Sequence, residues 1–145
     1  FFSISNFFKK MISKKIIKIA SNTKFEGLKS IYTHKSSAKN HICGDFIKVE
    51  LVASKAKIKS MRYETESCIL CEASASLLAN KIQNFCIKDL KKYFDNFKNI
   101  KRDKKIYLPT RFKEFNNLLN NKTLNRINCV ILPMEALLKA FKLNR

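Results

Sequence analysis

The sequence predicts an α+β domain in which a small antiparallel sheet of about three strands packs with helices. Two alternating runs, Phe46 to Ala53 and Lys57 to Glu66, flank Ser54-Lys55-Ala56, which reads as a hairpin connection. From Cys68 onward the apolar spacing becomes helical, with Ile69, Leu70, Ala73, Leu77 and Leu78 on recurring turns. Strands first and helices after is the α+β order.

Phe1 to Lys10 lacks an initiator Met, is too short to cross a bilayer and precedes Met11. It is expected to be a frayed or artefactual extension. The weaker alternative, an organellar targeting remnant, suffers from the absence of Arg and of an amphipathic pattern. Residues 11–145 are then a single domain. Ile12, Ile16, Ile17 and Ile19-Ala20 predict a short amphipathic helix capping it, ended by Asn22 and the turn at Gly27. Ile31 to His34 is read as a first strand and Lys35 to Asn40 as a polar loop. After the hairpin, helices are expected at 69–84, 87–98, 111–121 and 130–142. Lys101 to Lys105 is read as a charged loop and Pro109 as a boundary.

A chain of 145 residues with 46% hydrophobic content can build a core without disulfide staples. Five cysteines is an odd number, and no convincing secretory signal accompanies them. A disulfide framework is therefore not expected, and a reducing, cytoplasmic setting fits. The formal charge of +19 raises nucleic acid and anionic membranes as partners. Against both, the basic residues run from Lys9 to Lys142 without forming one tract. No zinc-finger, RNP or helix-turn-helix pattern goes with them. Solvated lysine surface is the favoured reading, with attraction to an acidic partner as its specific use. No membrane partner and no specific nucleic acid are expected.

Cys43, Asp45, Cys68 and Cys129 are the candidate metal ligands. Cys43-Gly44-Asp45 precedes a strand, and residues two apart in an extended chain point the same way. Cys68 and Cys129 open helical segments, where unpaired N–H groups and the dipole favour a thiolate. Three soft sulfurs and a hard oxygen suit zinc, or iron arriving with sulfide. Cys71, three residues past Cys68, is an alternate ligand or, as favoured, a small packing residue. His41 would reach the metal or shuttle a proton, but a lone His in a polar loop is more often solvated; His34 carries less weight. Arg126 pairs with Asp45, stabilises a thiolate, or is simply a surface residue. Cys86 is read as structural.

Three stretches also resemble, in order and context, the ligand motifs of the NifU/IscU/SufU family of iron–sulfur cluster assembly proteins. They are Cys43-Gly44-Asp45, the run Tyr63 to Ser76 around Cys68, and Arg126 to Leu132 around Cys129 followed by Ala136-Leu137. The likeness extends from Met11 to Phe141. It implies a SufE/NifU-like fold. It also implies that sulfur from a cysteine desulfurase and iron are assembled on Cys43, Cys68 and Cys129. Asp45 would complete the site and keep the cluster labile for transfer to apo iron–sulfur proteins or carriers. The cargo would be a transient 2Fe–2S or 4Fe–4S cluster.

The long stretch between Cys68 and Cys129 resembles the SufU branch. For that branch the alternative is a zinc-dependent sulfurtransferase, in which Cys129 leaves the metal to accept persulfide; it is chosen as a surface cysteine opening the last helix. A nucleic-acid-binding module with structural zinc ranks last. Several positions depart from the family pattern. No Leu-Pro-Pro-Val-Lys segment is present, Asn128 replaces the histidine of IscU proteins, Ser67 replaces a glycine, and Cys71 stands where many relatives carry Ser or Gly.

Overall fold

The computed structural model describes residues 13–98, 110–119, 123 and 126–144. The expectations for residues 1–10, the loop at 101–105 and Pro109 lie outside these. The α+β class is as expected, with four antiparallel strands in the order β1-β2-β3-β4, one more than the sequence suggested. The strands are β1 His34–Lys39, β2 Phe46–Ser54, β3 Lys57–Glu66 and β4 Phe85–Cys86. β4 has only two residues, too few to show alternation.

The first helix, α1, covers Lys14–Ala20, and the Ser13 side chain accepts the Ile16 N–H at 3.3 Å. Ile16 is buried and packs into the main core. Ile31 and Tyr32 are not a strand; both are exposed. β1 instead occupies the stretch read as a polar loop. It is an edge strand, so its polar residues need only one covered side. Ser36 Oγ donates to the Ala136 carbonyl at 2.5 Å and Lys139 Nζ to the Ser37 carbonyl at 3.1 Å.

The hairpin falls where expected, with Ser54 opposite Lys57 and the two central residues at φ 53 (Lys55) and φ 64 (Ala56). Two left-handed residues make a type I′ turn, whose twist suits the paired strands. Beyond it, Ala53 pairs with Ile58 and Val52 with Ser60, leaving Lys59 as an extra residue in β3. That bulge resets the alternation, so Ile58 and Met61, three apart, both reach the core.

Helix α2, Ile69–Lys81, runs through the centre of the domain, and every residue from Ala73 to Ala79 is buried. Its Ala and Ser side chains let neighbours approach closely. The closing helix, α4, covers Ile127–Ala140 and packs on α2, with Ser74 Oγ donating to the Val130 carbonyl at 2.5 Å. α4 begins three residues earlier than expected and continues through the buried Pro133. Between them lie a short 3-10 turn at Ile87–Asp89, helix α3 at Leu90–Lys98 and a 3-10 helix at Thr110–Leu118. The last was expected to be α-helical. Its buried residues Phe112, Phe115 and Leu118 recur every third position, the period at which 3-10 side chains eclipse. Phe112 and Phe115 meet Phe85, Phe94 and Phe97 edge to face, with centroids 5.3–6.1 Å apart.

Candidate metal centre

Three elements converge at one end of the sheet: the β1–β2 loop, the start of α2 and the start of α4. The loop is a closed turn. Asn40 N–H donates to the Asp45 carbonyl at 2.8 Å, Gly44 N–H to the Asn40 carbonyl at 2.7 Å, and Ile42 N–H to Asn40 Oδ1 at 3.0 Å. Gly44 sits at φ +78 with open space around its missing Cβ, so backbone conformation and not crowding calls for glycine. Cys43 and Asp45 therefore come together through a turn, and not through the strand alternation read from the sequence. The organising residue that sequence reasoning passed over is Asn40. An Asn four residues ahead of a Gly in a polar stretch is the available signal.

Cys43, Asp45 and Cys129 place their ligand atoms within 4.8 Å of one another, and the Cys43 and Cys129 sulfurs are 4.0 Å apart. Cys68 joins through the carboxylate. Asp45 Oδ1 accepts the Cys68 N–H at 3.0 Å, and Oδ2 accepts the Cys68 thiol at 3.4 Å. All four residues read from the sequence are thus neighbours. A tetrahedral ion with metal–sulfur bonds of about 2.3 Å separates its ligand sulfurs by about 3.8 Å. The spacing of Cys43, Asp45 and Cys129 is close to that of such an ion, and Cys68, outside that compact group, is held to it through Asp45.

Burial divides the donors. Cys43 is exposed, Cys68 half-buried, and Asp45 and Cys129 buried at 5% and 3% exposure. The surface position expected for Cys129 is not found. Ile127, Cys129 and Val130 in the first turn of α4 all face inward, and Asn128 alone points out. Pro133 also lacks the N–H that would bond the Cys129 carbonyl four residues back.

Burial pushes the Asp45 pKa up, but hydrogen bonds from the Cys68 N–H and from the thiols of Cys129, Cys68 and Cys43 outweigh it and hold the carboxyl below its ordinary value. The Cys68 thiol is lowered to about 7, first by a hydrogen bond from Cys129, with burial opposing and the Cys71 N–H assisting. Cys129 moves up in consequence, first because its proton is held against Cys68 and then because it is buried. The two thiols titrate as a pair: as pH rises Cys68 loses its proton first, and Cys129 holds its own.

Cys71 is fully buried, and burial pushes its thiol up to about 12. It stands outside the compact ligand group and faces the hydroxyls of Ser67 and Thr65. Ser67, in place of a glycine, has no left-handed φ, and its hydroxyl meets that of Thr65. Arg126 precedes α4, half-buried, and forms no ion pair with Asp45. His41 is exposed on the loop and outside the ligand group, and His34 stacks on Phe141 at 4.6 Å. Cys86 lies in β4, away from these residues in the sheet.

Residues 11–141 match the NifU-like N terminal domain. The iron–sulfur cluster assembly scaffold protein IscU of Thermotoga maritima is 29% identical over 143 residues, covering 93% of this chain and 95% of that one. Among solved structures, the N-terminal part of a nitrogen-fixing NifU-like protein from Brucella abortus superposes with a TM-score of 0.82 at 16% identity. That match covers 95% of this chain and 96% of the other. A putative SUF-system scaffold, SufU of Fervidobacterium islandicum, gives 0.77 at 20% identity over 90% and 96%. The two structures share the fold, and the sequence match spans nearly all described elements: the chain belongs to the NifU-like N-terminal domain family.

Proposed function

We propose that this chain, from residue 11 to 145, is one domain that assembles iron–sulfur clusters on Cys43, Asp45, Cys68 and Cys129 and passes them to apo-proteins or carriers. The observation that carries this reading is the convergence of three thiols and one carboxylate at a single surface-opening end of the fold. Iron and sulfide are the cargo, and the protein supplies thiolates and a carboxylate. Sulfur would come from a cysteine desulfurase. Cys43 is the thiol such a partner reaches first, because it is exposed on a loop while Cys129 lies beneath it.

A carboxylate is a harder ligand than a thiolate and holds a soft cluster less tightly, which suits a donor that must let go. Free thiols require a reducing compartment, for which the cytoplasm is the simplest choice. Zinc on the same donors would keep the thiolates deprotonated. The sulfurtransferase alternative built on Cys129 finds no support in the buried position of that residue.

The test is anaerobic incubation with iron, cysteine and a desulfurase, followed by visible sulfide-to-iron charge-transfer absorption. Cys43→Ser, Cys68→Ser and Cys129→Ser should each abolish it, and Cys86→Ser should not. Cluster formation undiminished in all three ligand variants would refute the assignment.

A further inference from the structure

Cys71 takes no part in the ligand group, yet it is a nucleophilic residue placed one turn inside the helix that Cys68 opens. Cys68 is the N-cap of α2, with extended backbone at φ −70 and ψ 165, and Cys71 is the third residue of the helix. A side chain at the N-cap projects over the N–H of that third residue. Helical Cβ atoms in turn tilt toward the N-terminus, so Cys71 leans toward Cys68. Cysteines three apart at a helix start meet the spacing a disulfide needs, with Cα atoms about 4.4–6.8 Å apart. The sequence Cys68-Ile69-Leu70-Cys71 is also the spacing of a redox-active dithiol. Cys71 is fully buried while Cys68 is half-buried, so a partner meets only the outer sulfur.

We propose that Cys68 and Cys71 form a dithiol that releases a sulfane sulfur carried on Cys68 as hydrogen sulfide, closing to a disulfide as it does so. This rests on the reading that the site takes up sulfur from a persulfide donor. Cys68 accepts the outer sulfur of a persulfide, either the donor's own or one passed on by the exposed Cys43, and returns a thiol to it. The Cys71 sulfur then attacks Cys68 Sγ. The bond between Cys68 Sγ and the outer sulfur breaks, and the bond between the two cysteine sulfurs forms. The outer sulfur leaves with the electron pair and the Cys71 proton, as hydrogen sulfide. It is reduced by two electrons, and the dithiol is oxidised by two. An external dithiol reductant restores both thiols by attacking Cys68, the reachable sulfur. An assembly site needs sulfide and not sulfane sulfur, and this pair makes the conversion next to the ligands that use it.

The experiment uses metal-free full-length protein under anaerobic conditions, loaded briefly at low temperature with an inorganic polysulfide and then desalted to remove the donor and the sulfide that loading sets free, with neither iron nor desulfurase. Sulfide release is timed, and the tryptic fragment Tyr63 to Lys81, which holds both cysteines and no other, is weighed. The parent should release one sulfide per chain, and its fragment should become two hydrogens lighter. Cys71→Ser should release sulfide at least about tenfold more slowly and keep a fragment one sulfur heavier. Cys71→Ala, with the fold checked by circular dichroism, guards against an effect of the serine hydroxyl.

Release as fast in both Cys71 variants as in the parent would overturn the proposal. So would a disulfide joining Cys43 to Cys129, whose sulfurs are 4.0 Å apart, with Cys68 and Cys71 left free. Because iron and desulfurase are absent, failure here leaves cluster assembly unaffected. Failure of cluster assembly with sulfide release intact would sink the scaffold reading alone.

Discussion

Asp45 grips Cys68 with both carboxylate oxygens, one on the backbone N–H at 3.0 Å and the other on the thiol at 3.4 Å. The carboxylate thereby caps α2 from outside the helix and fixes a candidate ligand in the same contact. A buried carboxylate at a helix N-terminus is stabilised by the positive end of the dipole. Its hydrogen-bond partners are the cysteines it would share a metal with. The two roles fall on different oxygens: Oδ1 holds the N–H, and Oδ2, which holds the thiol, is the one that deprotonation of Cys68 would free for a metal.

Asp45→Ala should slow cluster loss and transfer, because the harder, exchangeable oxygen is gone and the softer thiolates control release. The variant also leaves the Cys68 N–H without its acceptor, at a cost of about 1–2 kcal/mol in the metal-free protein. Transfer to an apo-acceptor and urea unfolding measure the two effects. Equal transfer rates in parent and variant would remove the role assigned to this oxygen.

The paired titration of Cys68 and Cys129 predicts a pH profile. In metal-free protein Cys68 ionises near 7, so its alkylation should rise between about pH 6 and pH 8 and level off, where an ordinary thiol is still gaining thiolate. Below that window it is protonated and slow. Cys71, up at about 12 through burial, should stay unmodified throughout. Cys129→Ala deletes the largest influence lowering Cys68, so the Cys68 midpoint should move upward. Peptide-resolved iodoacetamide labelling reads this directly. A Cys68 midpoint near that of a free thiol in the parent would mean the coupling is absent.

The hairpin offers a test of stability alone. Lys55 and Ala56 both hold left-handed φ, a conformation that costs an L-residue roughly 1–2 kcal/mol. Ala56→Gly removes that strain but adds freedom to the unfolded chain, a cost of roughly 0.5–1 kcal/mol. The net should be a gain of up to about 1.5 kcal/mol, seen as a higher urea midpoint with an unchanged slope. Destabilisation would show that the turn is not strained as described.

What could be read in the sequence followed from local pattern. The alternating strands, their hairpin and the apolar spacing after Cys68 are all local, and β2, β3 and α2 are found where that pattern places them. β1 was misplaced because an edge strand covered by α4 on one side needs no hydrophobic alternation, and His34–Lys39 has none. The second 3-10 helix looked like an α-helix because periods of 3.0 and 3.6 diverge little over nine residues. The four ligand candidates were legible as residue types in context. Their burial was not. Cys129 opens a helix, and only the packing of α4 on α2 decides that its first turn faces inward. The Asn40 turn and the two-oxygen grip of Asp45 depend on contacts between segments, which spacing along the chain does not encode.

The charge supplies the last prediction, because +19 permits a nucleic-acid binder as well as a scaffold. Among the described residues the lysines lie on every kind of element, from Lys14 and Lys15 on α1 to Lys48 on β2 and Lys139 on α4, and most are exposed. Dispersed cations neutralise phosphates but read no bases. Binding to duplex DNA or RNA should therefore be weak, independent of sequence and steeply lost with salt. Contact with a desulfurase should rest on the surface around Cys43, where the loop also presents Ile42 at 92% exposure, so apolar contact adds to charge. Screening over about 8 Å at physiological ionic strength removes only the electrostatic part of such a contact. Two salt titrations on the purified protein, one with nucleic acid and one with the desulfurase, separate the cases. Ile42→Ser should weaken the desulfurase contact and leave nucleic-acid binding unchanged. Tight, sequence-selective nucleic-acid binding at high salt, with no desulfurase binding at any salt, would reverse the functional assignment.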